Sequence, residues 1–303
     1  MEKFIIEGGQ PLSGTVVPAG NKNAALPALA ATLLTEEEVV LRNVPRIRDV
    51  EAMIELLRSV GATAEWRGDN VVSVNAAAAT TAELDTELTE RIRASFLLAG
   101  PLLARFGSAL MPPPGGDVIG RRRLDPHLDA FRALGATVEG RKSYAITAPQ
   151  GGLRACDFFM DEPSVMATEN ALMAAALTPG STVIHNAASE PHVQDLARLL
   201  LAMGARIEGI GSNVLVVHGE ASLGGADYAI GPDYIEVGSF IALAACTGGE
   251  LRIKDCVADD LRMTRLAFER LGCKIEYDGA DVIVPPGQAL RIKDDEGDAV
   301  SKI

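Results

Sequence analysis

The chain has 303 residues, a formal net charge of −13, 48% hydrophobic residues and 4% aromatic residues. This length accommodates two domains, and this hydrophobic content excludes an intrinsically disordered chain. The acidic balance disfavours general nucleic-acid binding, because such proteins present a basic surface.

The cysteine pattern and the apolar runs indicate a cytoplasmic location. Cys156, Cys246, Cys256 and Cys273 are scattered and form no CxxC pair. This favours a reducing compartment over a disulfide framework or a zinc site. Charged residues interrupt the N-terminal apolar residues, so no signal peptide is predicted. No apolar run reaches the roughly 18 residues of a membrane span, so we expect no membrane partner.

A helix-ending motif recurs four times along the chain. It consists of an apolar residue, a glycine, two further residues, an apolar residue or alanine, and a glutamate, at 60–65, 134–139, 203–208 and 271–276. The copies are spaced roughly 70 residues apart, which is typical of an internal repeat. Glycine ends helices because it adopts the left-handed conformation without steric cost. The four motifs therefore predict helices over 50–60, 128–134, 193–203 and 261–271.

The segments before these helices also recur. Each copy has a helix rich in small residues, predicted at 23–34, 94–105, 164–177 and 236–246. A strand follows each helix, at 38–43, 108–111, 182–186 and 250–254, and two short alternating strands follow each glycine. A leading strand is visible in three copies, at 14–18, 156–161 and 227–231. The sequence thus predicts an α/β protein of four β-α-β-α-β-β units.

The second copy carries a long loop between its strand and its second helix. Three prolines and two glycines over 112–116 end regular structure, and Asp117 and the arginine run 121–123 follow. A carboxyl group beside fixed cations suits an anionic substrate that must be protonated. A solvated loop without function is the alternative. We expect His127 to act with this loop, whereas the other histidines look structural or exposed and show no metal-ligand spacing.

Three predicted helix starts carry residues suited to anion binding. Lys22 and Asn23 open the first helix, where free N–H groups and the helix dipole attract anions. A lysine is unfavourable there, which indicates an anionic ligand, although an ordinary solvent-exposed lysine is the alternative. Arg93 and Ser164 open two further helices, and Ser164 is also suited to capping its helix.

Six ordered motifs across essentially the whole chain resemble those of the UDP-N-acetylglucosamine enolpyruvyl transferases. They lie at 22–27, 93–95, 114–120, 125–127, 186–191 and 233–238. The resemblance implies an inside-out α/β barrel fold of six β-α-β-α-β-β units, of which four are present. It further implies a complete three-unit domain over 22–231. This domain carries the long loop with Asp117, which we call the acid loop. An incomplete second domain would consist of 1–21 plus 232–303.

The resemblance also implies an activity. Members move the enolpyruvyl group of phosphoenolpyruvate to the 3-hydroxyl of UDP-N-acetylglucosamine, the first committed step of peptidoglycan precursor synthesis, with no metal or organic cofactor. Asp117 would be the catalytic acid, at a position where most members carry cysteine. Phosphoenolpyruvate would be held by Lys22, Asn23 and Arg122. UDP-N-acetylglucosamine would be held by Arg93, Arg122, Arg123, Leu124, Asp125, Pro126, Glu162, Pro163, Ser164 and Val165.

Two alternatives stay open at this point. One is an enzyme like 5-enolpyruvylshikimate-3-phosphate synthase, which shares the fold; Lys22-Asn23 and Gly115-Gly116 argue against it. The other is a non-catalytic sugar-nucleotide binding protein. The family continues for about two more units, with an aspartate and arginines that act at the site. We therefore expect the 303 residues alone to turn over slowly or not at all, while still binding the sugar nucleotide.

Overall fold

A computed structural model describes residues 3–116 and 123–292, so Asp117, Arg121 and Arg122 lie outside the described residues. The chain divides into two compact units. We call Gly20–Gly231 the central unit, and Met1–Ala19 with Pro232–Ile303 the split unit. The sequence analysis placed a three-unit domain over 22–231; its correspondence to the family's complete domain stays a prediction.

Along the described chain, runs of one to three strands separate most of the α-helices. The α-helices are α1 Lys22–Ala31, α2 Arg48–Ser59, α3 Thr86–Thr89, α4 Ala99–Phe106, α5 Asp125–Ala133, α6 Val165–Ala176, α7 Pro191–Ala202, α8 Tyr234–Thr247 and α9 Arg262–Arg270. The strands are β1 Gly14–Val16, β2 Val39–Arg42, β3 Thr63–Trp66, β4 Val72–Asn75, β5 Ser108–Met111, β6 Thr137–Glu139, β7 Tyr144–Thr147, β8 Asp157–Phe159, β9 Gly180–His185, β10 Arg206–Glu208, β11 Val214–Gly219, β12 Ala226–Ala229, β13 Leu251–Ile253, β14 Glu276–Asp278 and β15 Asp281–Val284. Short 3-10 helices cover Thr32–Leu34, Arg93–Leu98 and Ala258–Leu261.

Each repeat copy is centred on one small sheet. In the third copy the strand order is β8-β9-β11-β10, with β8 parallel to β9 and the other neighbours antiparallel. The second copy forms the sheet β5-β7-β6. There, an isolated parallel bridge between Glu83 and Leu110 takes the place of the leading strand. The repeat predicted from the sequence is therefore present in the structure.

The first and fourth copies exchange their leading strands. β1 pairs in parallel with β13, with Gly14 opposite Leu251, in the sheet β1-β13-β15-β14. β12 pairs in parallel with β2, with Ala226 opposite Val39, in the sheet β12-β2-β4-β3. The sheet of the split unit is thus completed by β1 from the N-terminal segment. The first sheet of the central unit is completed by β12 from the end of that unit.

The predicted helix-ending glycines are confirmed. Gly61, Gly135, Gly204 and Gly272 have φ angles of 98°, 93°, 101° and 80°. Each comes two residues after the last residue of its helix, α2, α5, α7 or α9. A side chain at these φ angles would be strained, which explains why glycine recurs there.

The core of the central unit surrounds two helices that are buried on all sides. Ala24 to Ala31 of α1 and Ala167 to Ala176 of α6 are buried throughout. Their small residues allow close approach: a Cβ at Gly100 of α4 would lie 2.6 Å from the carbonyl oxygen of Asn170 in α6. The split unit has a separate, smaller core formed by α8 and the strands β13 and β15. Among the described helices, none is long and apolar enough to cross a membrane.

Candidate active site

A cleft with a volume of about 450 Å³ opens in the central unit. It lies between the first residues of α1, the 3-10 helix Arg93–Leu98 and the first turns of α6 and α7. Its polar and charged walls are formed by Lys22, Asn23, Asp49, Arg91, Arg93, Glu169 and His192. Leu26, Pro27, Ile92, Ala94, Leu97, Gly116, Val165 and Met166 complete the lining.

The start of α1 presents Lys22 to the cleft. The side chain of Asn21 caps the helix by accepting a hydrogen bond from the backbone N–H of Ala24 at 3.1 Å. Lys22, the first helical residue, places its Nζ 3.3 Å from Oδ2 of Asp49, and the two side chains are 44% and 41% exposed. Because exposed ion pairs contribute little stability, Lys22 can exchange this partner for an anionic ligand at low cost.

The described part of the acid loop packs closely on the segment that carries Arg93. The backbone N–H of Gly115 donates to the carbonyl of Thr89 at 3.1 Å. A Cβ at Gly115 would lie 1.6 Å from the carbonyl oxygen of Glu90, and one at Gly116 would lie 3.0 Å from the backbone nitrogen of Arg93. Both positions therefore require glycine, and residue 117 follows directly from a residue in the cleft wall.

An arginine connects two of the segments that the sequence analysis assigned to the sugar nucleotide. Arg123 lies 3.1 Å from Asp125, 3.1 Å from Asp161 and 3.9 Å from Glu162. The hydrogen bonds that Arg123 donates, first to Asp125 and then to Asp161, raise the pKa of Arg123. Nη2 of Arg93 lies 3.4 Å from the carbonyl oxygen of Arg123, which joins this ion-pair network to the cleft.

The remaining predicted residues flank two helix starts. Leu124 precedes α5, and Pro126 is buried in its first turn. Pro163 is exposed, and Ser164 is the residue before α6. Ser164 does not cap this helix through its side chain, contrary to our expectation; instead its carbonyl accepts from Thr168 Oγ1 at 2.8 Å. Val165, the first residue of α6, lines the cleft.

The structure therefore brings part of the predicted set together. Lys22, Asn23, Arg93 and Val165 share the cleft. Arg123, Asp125 and Glu162 form a network joined to it through Arg93. Asp117 and Arg122 lie outside the described residues. The substrate contacts assigned to these residues stay predictions.

His127, which we expected to act with the loop, is not among the described residues that line the cleft. It is 2% exposed in the core, where Nδ1 lies 2.9 Å from the side-chain nitrogen of Asn170. Its ring packs edge-on against Phe96 with centroids 5.0 Å apart. Burial, and secondarily the charge of Arg93, lowers the pKa of His127 to about 3. The helix begins at Asp125 and not at Leu128, which turns His127 inward.

Four titratable cleft residues were not among the predicted site residues, namely Asp49, Arg91, Glu169 and His192. His192 looked structural or exposed, but it lies in the first turn of α7 and lines the cleft. Glu169 lies within a helix that we treated as a run of small residues, yet it also lines the cleft. A lone acid among alanines in a buried helix was the available signal for Glu169. Across 3–116 and 123–292, no group of three or more His, Cys, Asp or Glu side chains is arranged to hold a metal ion.

Comparison with known proteins identifies the family. The model for EPSP synthase (3-phosphoshikimate 1-carboxyvinyltransferase) matches residues 6–296. A UDP-N-acetylglucosamine 1-carboxyvinyltransferase from Bradyrhizobium diazoefficiens is 56% identical over 301 residues, which cover 99% of this chain and 69% of that protein. The chain belongs to the enolpyruvyl transferase family. A protein of the same name from Treponema denticola is 48% identical to this enolpyruvyl transferase, over 100% of the chain and 71% of the relative.

Solved structures agree with this family. The enolpyruvyl transferase NikO from Streptomyces tendae has a TM-score of 0.79 and 28% identity, and the match covers 93% of this chain and 67% of that one. EPSP synthase from Acinetobacter baumannii has a TM-score of 0.73 and 19% identity, and the match covers 95% of this chain and 67% of that one. The second likeness concerns the fold alone. The predicted fold class, α/β repeats of the enolpyruvyl transferase fold, is confirmed.

Proposed function

We propose that the chain transfers the enolpyruvyl group of phosphoenolpyruvate to the 3-hydroxyl of UDP-N-acetylglucosamine, with release of phosphate, in peptidoglycan precursor synthesis. The supporting observation is the convergence of Lys22, Arg93 and Gly116 on one cleft, with residue 117 next in sequence. The relatives named for this acceptor, at 43–56% identity, favour it over other members of the family. In this proposal the enzyme is cytoplasmic, and its substrates are the two small molecules phosphoenolpyruvate and UDP-N-acetylglucosamine.

The proposed reaction is an addition followed by an elimination. Asp117 protonates the methylene carbon of phosphoenolpyruvate, and the 3-hydroxyl oxygen of the sugar attacks the neighbouring carbon and loses its proton. The methyl group then loses a proton as the C–O bond to phosphate breaks, which restores the double bond in the transferred group. Lys22 and Arg122 stabilise the phosphate and carboxylate charges throughout, which is commonly the largest electrostatic contribution to such catalysis.

The sugar nucleotide takes the neighbouring part of the site in this proposal. Its diphosphate needs cationic and N–H donors, and Arg93 at the cleft and Arg123 beside it are suitably placed donors. The α6 start adds the N–H groups of its first turn, next to Val165. Arg123 already pairs with Asp125 and Asp161, so its position is fixed before a ligand arrives.

Transfer to shikimate 3-phosphate is the second candidate, because the matching family model is that of EPSP synthase. A single-turnover assay with excess protein separates the two. Phosphoenolpyruvate is mixed with each acceptor, and the mass of the acceptor and the released phosphate are followed. We expect the mass gain on UDP-N-acetylglucosamine alone. A gain on shikimate 3-phosphate, or failure to bind UDP-N-acetylglucosamine, would contradict the proposed function.

A further inference from the structure

Glu169 is a buried carboxyl group at the wall of the cleft. It is 1% exposed and lies in α6, four residues after Val165. That spacing places Val165, Met166 and Glu169 on one face of the helix, and all three line the cleft. Its Oε1 has no hydrogen-bond partner among the described residues. Because buried polar atoms are normally paired, this oxygen requires a further explanation.

The surroundings of Glu169 favour its uncharged form. Burial raises the pKa of Glu169 well above its usual value, and the negative charge of Glu190 raises it further. An uncharged carboxyl group carries an O–H that must find an acceptor. The cleft around it holds Lys22, Arg91 and Arg93, which suit an anionic ligand. A charged Glu169 would repel such a ligand, whereas an uncharged one donates to it.

We propose that Glu169 binds substrate as a neutral carboxylic acid, whose O–H donates a hydrogen bond to an anionic oxygen in the cleft. This inference rests on the proposed function. The oxygen belongs either to phosphoenolpyruvate or to the diphosphate of UDP-N-acetylglucosamine. In either case Glu169 adds a donor to the cationic cleft without adding charge, and affinity falls as pH rises and Glu169 ionises.

Several other groups around Glu169 also respond to pH or carry charge. They are Lys22, Arg91 and Arg93 at the cleft, His192 and Glu190 at the start of α7, and His127 on α5. Protonated His192 would also favour an anion. Glu169→Gln leaves all of these unchanged and keeps a neutral donor of the same shape. The part of the pH dependence that disappears in Glu169→Gln therefore belongs to Glu169.

The test measures dissociation constants by calorimetry for UDP-N-acetylglucosamine alone and for phosphoenolpyruvate in its presence. Glu169→Met keeps the size and removes the donor, so we expect about tenfold or more weaker binding of the ligand that Glu169 contacts. The dissociation constant of Glu169→Gln should stay within about threefold of the wild-type value, and its affinity should fall less than that of the wild type at alkaline pH. Thr182→Val is the matched control, because Thr182 is also buried with an unpartnered oxygen but lies outside the cleft lining.

The outcomes separate this inference from the proposed function. If Glu169→Met loses affinity for only one of phosphoenolpyruvate and UDP-N-acetylglucosamine, that ligand is the substrate that Glu169 contacts. If folded Glu169→Met binds both substrates with wild-type affinity, the role of Glu169 is overturned and the proposed function is unaffected. If the wild-type chain binds neither substrate, the proposed function fails and this inference with it.

Infrared spectroscopy gives a second readout that does not depend on the Met variant. The wild-type protein should show a protonated carboxyl band that is missing in Glu169→Gln and that shifts when substrate binds. If the band is absent at neutral pH, or does not respond to either substrate, the proposal is overturned.

Discussion

The side-chain nitrogen of Asn170 on α6 donates a hydrogen bond to Nδ1 of His127 on α5 at 2.9 Å. The same nitrogen donates to the carbonyl of Phe96 at 2.9 Å, and Oδ1 of Asn170 accepts from the backbone N–H of Gly100 at 2.8 Å. An amide nitrogen only donates, so Nδ1 of His127 is the acceptor and the ring proton lies on Nε2. One buried side chain thus joins three segments behind the cleft.

Asn170→Ala tests this junction. The change leaves buried groups on Phe96, Gly100 and His127 without their partner, and each such loss costs about 1 kcal/mol or more. We expect the free energy of unfolding, measured by urea titration, to fall by about 3 kcal/mol. The control is Asn75→Ala, because the side-chain hydrogen bonds of Asn75 are exposed: it donates to the carbonyl of Glu36 at 3.2 Å and accepts from the backbone N–H of Ala77 at 3.0 Å. A similar loss in both variants would contradict the expected role of Asn170.

His127 makes the stability of the fold sensitive to acid. Its pKa is lowered to about 3 in the folded protein, whereas an unfolded histidine titrates near about 6.5. Below the unfolded pKa, protons bind the unfolded chain more than the folded one, so stability falls as pH drops from about 6.5 towards 3. We expect a loss on the order of 4 kcal/mol over this window.

His127→Gln checks that acid sensitivity. Glutamine retains an acceptor for Asn170 and does not titrate, so the variant should lose less stability between the same two pH values. Unfolding free energies at several pH values provide the measurement. His218→Gln, at a histidine paired with Glu208 outside the core, is the control. If the stability of His127→Gln depends on pH as that of the wild type does, the assignment of His127 as buried and neutral is wrong.

The repeat shows what the sequence could predict about the fold. The glycines Gly61, Gly135, Gly204 and Gly272 revealed it, because a left-handed φ at a helix end is a local requirement. The exchange of β1 and β12 between sheets was not visible in the strands themselves. A strand of three or four residues, such as Gly14–Val16, carries too little pattern to specify a partner more than 200 positions away.

The candidate site was partly predictable for a similar reason. Lys22 and Arg93 stand at helix starts, where local chemistry points to anions, and both reach the cleft. The burial of His127 was not predicted, because the helix begins three residues earlier than its apolar pattern indicated. Glu169 and His192 line the cleft beside residues that are distant in sequence, so only the fold brings them there.

Asp117 should be the proton donor of the proposed reaction. Asp117→Asn should abolish whatever transfer the wild-type chain performs and leave UDP-N-acetylglucosamine binding nearly unchanged, because the amide keeps the size but has no acidic proton. Asp117→Cys should retain transfer and become sensitive to the epoxide fosfomycin, since a thiolate is the better nucleophile. Product formation and intact-protein mass spectrometry follow both effects. Wild-type transfer in Asp117→Asn, or rapid alkylation of the unmodified loop, would refute this role.

The split unit should open before the central unit. Helix α9 contains no buried residue, and Met263 and Leu266 on it are exposed. Helix α8 buries only Val237, Ile241 and Ala244. Limited proteolysis followed by mass spectrometry should therefore cut within 232–292 first and leave 20–231 intact. Equal protection of the two segments in a monomer would contradict this expectation.

A titration with UDP-N-acetylglucosamine shows whether the cleft at Lys22 and Arg93 binds the sugar nucleotide. Arg93→Ala should weaken binding about tenfold or more, because a charge-assisted contact to phosphate is lost. Arg206→Ala, at an exposed arginine paired with Glu220 on the surface, should bind like the wild type. Shikimate 3-phosphate should not bind. Failure of UDP-N-acetylglucosamine to bind, or binding to Arg93→Ala as tight as to the wild type, would contradict binding of the sugar nucleotide in this cleft.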